Sequence, residues 1–209
     1  MLTQQNQTKQ NQIDAVAFDF GGVLTHTAFG GLSDYEGELG LPVDSLVTHF
    51  RDGPEMARLE VGGISAREFF KHVCVAVQRE HGQRLDIHRL AASASAGERL
   101  NPAMLRLVRQ VGVRCRTALL TNNVAGARWR SSFPFELFGV VLDSSEVGAR
   151  KPDPVIFRQL LRRLGRRAEQ VAFIDDLPRN VDAAAALGIH AILFTDESGC
   201  RAELARLGA

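Results

Sequence analysis

The chain has 209 residues, 45% of them hydrophobic, and a net charge of +1. That is enough to bury one sizeable core with a small accessory unit, and the near-neutral balance points to neither a nucleic acid nor an anionic membrane surface as partner. No apolar run approaches the ~20 residues of a membrane span. The three cysteines, Cys74, Cys115 and Cys200, are odd in number and widely spaced. They read as reduced core residues of a cytoplasmic protein, neither a metal cluster nor a disulfide frame.

Met1 to Gln12 is polar and Gln/Asn-rich, which reads as a disordered tail and not a secretory signal. Ala15-Val16-Ala17-Phe18 is an apolar run of the kind found in a buried parallel strand. It ends on Asp19 and breaks into the Gly21-Gly22 turn. Open α/β sheets place their chemistry at such strand ends, and glycines there allow positive φ and close approach of backbone to ligand. Asp19 is thus a candidate reacting group, although an Asp merely starting a turn fits the same residues.

From Thr25 to about Gly97 there are helix signals and almost no strand signals. Ser33-Asp34-Tyr35-Glu36 reads as a capping box for a helix stopped by Gly40. Pro42 opens a second helix ending near Gly53, and Pro54 a third stopped by Gly62-Gly63. Ser65 and Glu68 form another capping box, with Phe69, Phe70, Val73, Cys74 and Val77 on one face of a helix that ends at Gly82. Asp86 caps a last helix through Ala96. This block reads as a helical cap of residues 25–97, inserted into a core domain of residues 13–24 and 98–209. It is either a lid over the Asp19 strand or a bundle that only adds core.

Strand and helix signals then alternate. Asn101-Pro102 starts a helix that Gly112 stops, and Thr117–Leu120 is a strand leading into Thr121-Asn122-Asn123. A helix follows from Val124, then a strand over Gly139–Leu142 and a helix from Asp153-Pro154 to Gly165. Val171–Ile174 is a strand running into Asp175-Asp176, Val181–Leu187 a helix, and His190–Phe194 the last strand. Alternation of this kind implies a parallel sheet with helices on both faces, a Rossmann-like three-layer α/β fold.

A parallel sheet brings Asp19, Thr121 and Asp175 to one edge, with Lys151 in a loop at that same edge. Asp19, Asp175 and Asp176 are hard oxygen ligands suited to Mg²⁺, Lys151 neutralises a phosphate as a point charge, and Thr121 offers a hydroxyl. A metal and a lysine also keep Asp19 ionised, as a nucleophilic carboxylate must be. Each group has a bland reading as turn, cap or surface residue, but four such accidents at one edge are improbable. Only three of the 25 basic residues are lysines, so a lysine at position 151 is mildly unusual.

From Ile13 onward the chain resembles the haloacid dehalogenase-like hydrolases. The resemblance rests on Phe18-Asp19-Phe20-Gly21-Gly22-Val23-Leu24, Leu120-Thr121-Asn122, Arg150-Lys151-Pro152-Asp153, and Phe173-Ile174-Asp175-Asp176 with Asn180 behind it. The opening and the size look most like the branch that includes the phosphatase domain of soluble epoxide hydrolases. The resemblance implies an Mg²⁺-dependent phosphatase acting on a small phosphorylated substrate through an aspartyl-phosphate on Asp19. It implies metal ligation by Asp19, the Gly21 carbonyl and Asp175, with Asp176 acting through metal-bound water. Thr121, Asn122, Lys151 and the amides of Gly21 and Gly22 would bind the phosphoryl group.

One position departs from the family pattern. Phosphatases of this family usually carry a second Asp two residues after the nucleophile as general acid, and here that position is Gly21. General acid–base help is typically worth ~10²–10⁴ in rate, a loss that spares good leaving groups such as acyl phosphates and sugar 1-phosphates. His26 is the nearest titratable substitute, with an ordinary loop histidine as the plainer reading. Three functions stay open: a phosphatase of activated substrates, a low-turnover module that binds phosphate and Mg²⁺, and a 2-haloacid dehalogenase, which the acidic pair disfavours. Glu55, Arg58 and Glu60 read as surface residues, with a place at the substrate mouth as the alternative. Trp129 reads as helix packing, and His49, His72, His81 and His88 show no ligand spacing. Monomer and homodimer remain equally open.

Overall fold

The computed structural model describes residues 12–26, 29–51, 53–96 and 99–209, and in it the run that ends on Asp19 is the middle strand of a sheet. The polar tail expected over Met1–Gln12 falls, apart from Gln12, outside these residues, as does the side chain of Trp129. Strands β1 (Ala15–Phe18), β2 (Arg116–Thr121), β3 (Val140–Asp143), β4 (Val171–Asp175) and β5 (His190–Leu193) pair in parallel, in the order β3-β2-β1-β4-β5. All four residues of β1 are buried, which is why it is uniformly apolar rather than alternating.

Successive side chains of β1 still face opposite ways. Val16 and Phe18 join a core with Leu119, Ile174, Met104, Val108 and Leu204. Ala15 and Ala17 join the other, with Ala118, Leu120, Phe173, Phe157 and Leu160. The sheet is therefore the middle of three layers. Helices α1 (Gly30–Leu39), α2 (Val47–Arg51), α3 (Pro54–Glu60), α4 (Ala66–His81) and α5 (Ile87–Ser95) form the insert. They pack about their own cluster of Leu32, Tyr35, Leu46, Leu59, Phe69, Val73, Val77 and Leu90. Helices α6 (Pro102–Val111), α7 (Ser144–Val147), α8 (Pro154–Leu164), α9 (Pro178–Ala185) and α10 (Glu197–Arg206) complete the chain. Among the described residues no helix is long and apolar enough to cross a membrane.

Several local signals act as read. Ser65 accepts from the Glu68 amide while Glu68 reaches back to Ser65, Asp86 caps α5, Asn101 caps α6 and Asp153 caps α8. Each such cap is worth about 1 kcal/mol. The insert leaves the sheet through paired linkers. Thr25 and Leu100 form an antiparallel bridge, flanked by His26 N–H to Arg99 O at 2.9 Å and Asn101 N–H to Leu24 O at 2.7 Å.

Elsewhere the chain folds differently from its local signals. The first insert helix begins at Gly30, so Ser33 lies inside it and caps nothing. Gly31, inside the added turn, permits close packing of α1 on α5, because a Cβ there would lie 2.4 Å from the Ser93 carbonyl oxygen. Glu36, read as the partner of Ser33, is buried and accepts from the amides of Leu46 at 2.6 Å, Val47 at 3.1 Å and Asp44 at 3.2 Å. That clamp, with Asp44 at a φ of 65°, delays the helix read from Pro42 until Val47. No α-helix starts at Val124. Asn123 bonds the Val124 amide at 2.7 Å, a local alternative to helix, and a short 3₁₀ turn over Arg128–Ser131 takes its place. Helices α7 and α10, not read from the sequence, start at Asp143 and Asp196, whose side chains accept from the Ser145 and Gly199 amides. Cys115 and Cys200 are buried and Cys74 half-buried, all three as free thiols.

Candidate active site

The carboxyl ends of the strands put Asp19, Thr121, Asp143 and Asp175 along one edge. The register aligns Phe18 with both Leu119 and Ile174, and Asp19 N–H donates to the Ile174 carbonyl at 2.9 Å. Lys151 comes into this edge from the loop after α7. It is 1% exposed, and its Nζ lies 2.5 Å from Asp19 Oδ1 and 2.7 Å from Asp175 Oδ2. The Phe173 ring sits beneath the ammonium at 5.5 Å.

The supports of these groups are as specific as the groups themselves. Asn122 clamps the Lys151 main chain from both sides, Nδ2 donating to the Lys151 carbonyl at 2.9 Å and Oδ1 accepting its amide at 2.8 Å. Asp175 Oδ1 accepts from Asn180 Nδ2 and from the Leu177 amide, each at 2.9 Å. Thr121 is buried, its hydroxyl donating only a long 3.3 Å bond to the Asn122 carbonyl. Gly22 has φ of 77°, and a Cβ there would lie 2.3 Å from Asp176 Oδ2. Gly21 differs: its φ of −70° and ψ of 125° suit any residue, and nothing lies within 4 Å of where its Cβ would stand.

Asp19, Asp175 and Asp176 each offer a carboxylate oxygen within 4.8 Å of the others, and they are the one such group among the described residues. An all-oxygen donor set, with three carboxylates against one ammonium, fits a hard divalent cation such as Mg²⁺. Burial raises Asp19 from 3.8 to about 8, against the pull of Lys151 and with a push from Asp175. Burial, then Asp175, also raises Asp176. Burial alone would depress Lys151, but the Asp175 and Asp19 carboxylates outweigh it and hold the ammonium above its ordinary range.

Glu60, expected at the surface, is instead buried between the insert and the site loops. It is 7% exposed, and its Oε2 lies 2.6 Å from Arg150 Nε, a contact ion pair whose N–H points off the line. Burial raises its carboxyl, while Arg150 and Lys151 pull the other way. Glu55 and Arg58 do stay outside, paired with each other at 2.9 Å. His26 is exposed beside the linker bridge. Asp143 belongs to the same edge: it is fully buried, caps α7 and pairs with Arg130 at 2.5 Å. Its signal was visible, since it too follows an apolar strand.

The model of one family, haloacid dehalogenase-like hydrolase, matches residues 13–188. The chain belongs to that family. It is 31% identical over 85% of its length to mouse acyl-CoA dehydrogenase family member 10 and 27% identical over 92% to pig bifunctional epoxide hydrolase 2. It spans only 17% and 38% of those two proteins. A Mycobacterium tuberculosis phosphatase is 28% identical over 90% of this chain and 89% of its own.

Solved structures agree on the fold of this hydrolase. A predicted HAD-like hydrolase from Porphyromonas gingivalis superposes with a TM-score of 0.71 at 24% identity, covering 93% of this chain and 98% of its own. A HAD family enzyme from Bacteroides thetaiotaomicron, solved with magnesium and inorganic phosphate, superposes with a TM-score of 0.66 at 20% identity, covering 88% and 94%.

Proposed function

We propose that this hydrolase is an Mg²⁺-dependent phosphatase of small phosphorylated metabolites with good leaving groups. The observation that carries the reading is Lys151 Nζ set between Asp19 and Asp175, beside a third carboxylate. Asp19 attacks phosphorus in line. The P–O bond to the leaving group breaks and its electron pair departs with that oxygen, leaving an aspartyl-phosphate. Water then attacks the phosphorus, freeing phosphate and the Asp19 carboxylate.

Asp19, Asp175, Asp176 and the Gly21 carbonyl would hold the cation. When bound it supplies Lewis-acid stabilisation of charge on the phosphoryl oxygens. Lys151 balances that charge from the protein side, and the Thr121 hydroxyl and the Gly21 and Gly22 amides orient the oxygens. Asn122 contributes by holding Lys151, because both ends of its side-chain amide are already committed. The helical insert is read as the cap of the site.

Gly21 sets the substrate class. With no carboxyl at that position to protonate the leaving oxygen, turnover favours acyl phosphates and sugar 1-phosphates over simple alkyl esters. The open space beside Gly21 also supports a second reading, a module that binds Mg²⁺ and phosphate with little turnover. Phosphate release from acetyl phosphate and a sugar-phosphate panel, with Asp19→Asn alongside, decides between them. Turnover that requires Mg²⁺ and disappears in the variant supports the phosphatase. Mg²⁺ binding without turnover on any compound supports the module.

A further inference from the structure

Glu60, the last residue of α3, joins the insert to the loops that build the site. Its main-chain carbonyl accepts from Ser144 Oγ at 2.6 Å, and the same hydroxyl accepts from the Asn123 amide at 3.0 Å. Its side chain meets Arg150 Nε at 2.6 Å in a largely buried pair. Arg150 directly precedes Lys151 in sequence, and its carbonyl accepts the Asp153 amide at 2.8 Å. The turn that carries Lys151 is thus held on one flank by Asn122, from the core sheet, and on the other by Glu60, from the insert. The insert is also attached by the Thr25–Leu100 bridge at its linkers and by Arg179, which donates to the Arg51 carbonyl at 3.4 Å. The Glu60 contact is the one that reaches the Lys151 turn, and it exists only while the insert is seated.

We propose that Glu60 is a positioning residue for Lys151. Seating of the insert places the lysine through Arg150. A lifted insert leaves the turn held from the core side only, by Asn122 on the main chain and by Asp19 and Asp175 on the ammonium. An ion pair that served only to add docking stability would loosen the whole insert when removed. A positioning pair loosens the 150–153 turn first. The inference rests on the phosphatase reading for its kinetic arm only.

The test is amide hydrogen exchange on the full chain, comparing wild type with Glu60→Gln, Arg150→Lys and the double variant. The expected result is exchange at the Lys151 and Asp153 amides faster by about tenfold or more in Glu60→Gln, the scale of one charged contact. The double variant should be no faster than that single, with melting temperatures near wild type. On a substrate that wild type turns over, kcat should fall about tenfold with KM little changed, because the ammonium matters most where charge develops. If Glu60→Gln does not fold, Arg150→Lys carries the same comparison, since it keeps the charge and moves the donor. Unchanged exchange at those two amides, or acceleration spread evenly over the insert, overturns the proposal. A wild type that turns over nothing sinks the phosphatase reading while the exchange result still stands.

Discussion

Gly22 and Asp176 share a space that holds only one of them and a hydrogen: a Cβ on Gly22 would stand 2.3 Å from the Asp176 carboxylate oxygen. The φ of 77° adds backbone strain for any side chain. Gly22→Ala should therefore lose about 1–3 kcal/mol of stability and weaken Mg²⁺ binding, by thermal melting and titration calorimetry. Gly21→Ala, where nothing lies within 4 Å, should melt close to wild type.

Gly21→Asp tests the missing acid directly. The backbone there already suits a side chain, so the variant should fold normally. Its turnover of alkyl phosphate monoesters should rise by up to ~10²–10⁴, the usual worth of general acid help, with acetyl phosphate little affected. Equal effects on both substrate types would show that the leaving group is protonated in some other way.

Burial holds Asp19 at about 8 in the metal-free protein, so a cation must displace a proton to bind at neutral pH. Mg²⁺ affinity should rise with pH up to about 8, and calorimetry in buffers of different ionisation enthalpy should show proton release. The stability sign follows the same shift. A carboxyl raised in the fold favours the native state at low pH, and that contribution is lost as pH rises from about 4 to about 8. Metal-free wild type should lose stability relative to Asp19→Asn across that window.

Asn122→Ala removes both bonds that clamp the Lys151 main chain. Unsatisfied buried polar groups cost about 1–3 kcal/mol, which for a chain of this size lowers the melting temperature by roughly 2–4 °C per kcal/mol. Phosphate affinity should fall with it, read as a higher inhibition constant for inorganic phosphate. A fully stable variant with normal phosphate affinity would remove Asn122 from the site.

The strand ends were legible because a buried parallel strand is short and uniformly apolar, so the polar residue that follows it stands out. Asp19, Thr121 and Asp175 all announce themselves this way, and Asp143 does as well. The caps at Ser65, Asp86, Asn101 and Asp153 were legible because their partners lie within one turn. What failed did so where a distant partner decides. Glu36 serves a loop ten residues on, and Gly31 answers to Ser93 across a helix packing. Glu60 is one glutamate among many until the fold brings Arg150 to it, 90 residues along the chain.

The most direct test of the account is whether Asp19 carries the phosphoryl group during turnover. Protein mixed with Mg²⁺ and acetyl phosphate, quenched in acid and treated with borohydride, should yield a peptide with homoserine in place of Asp19, the reduction product of the acyl-phosphate adduct after its phosphate has left. Asp19→Asn should give neither adduct nor phosphate release. Release that continues undiminished in Asp19→Asn, or wild-type turnover with no adduct on that peptide, would contradict it.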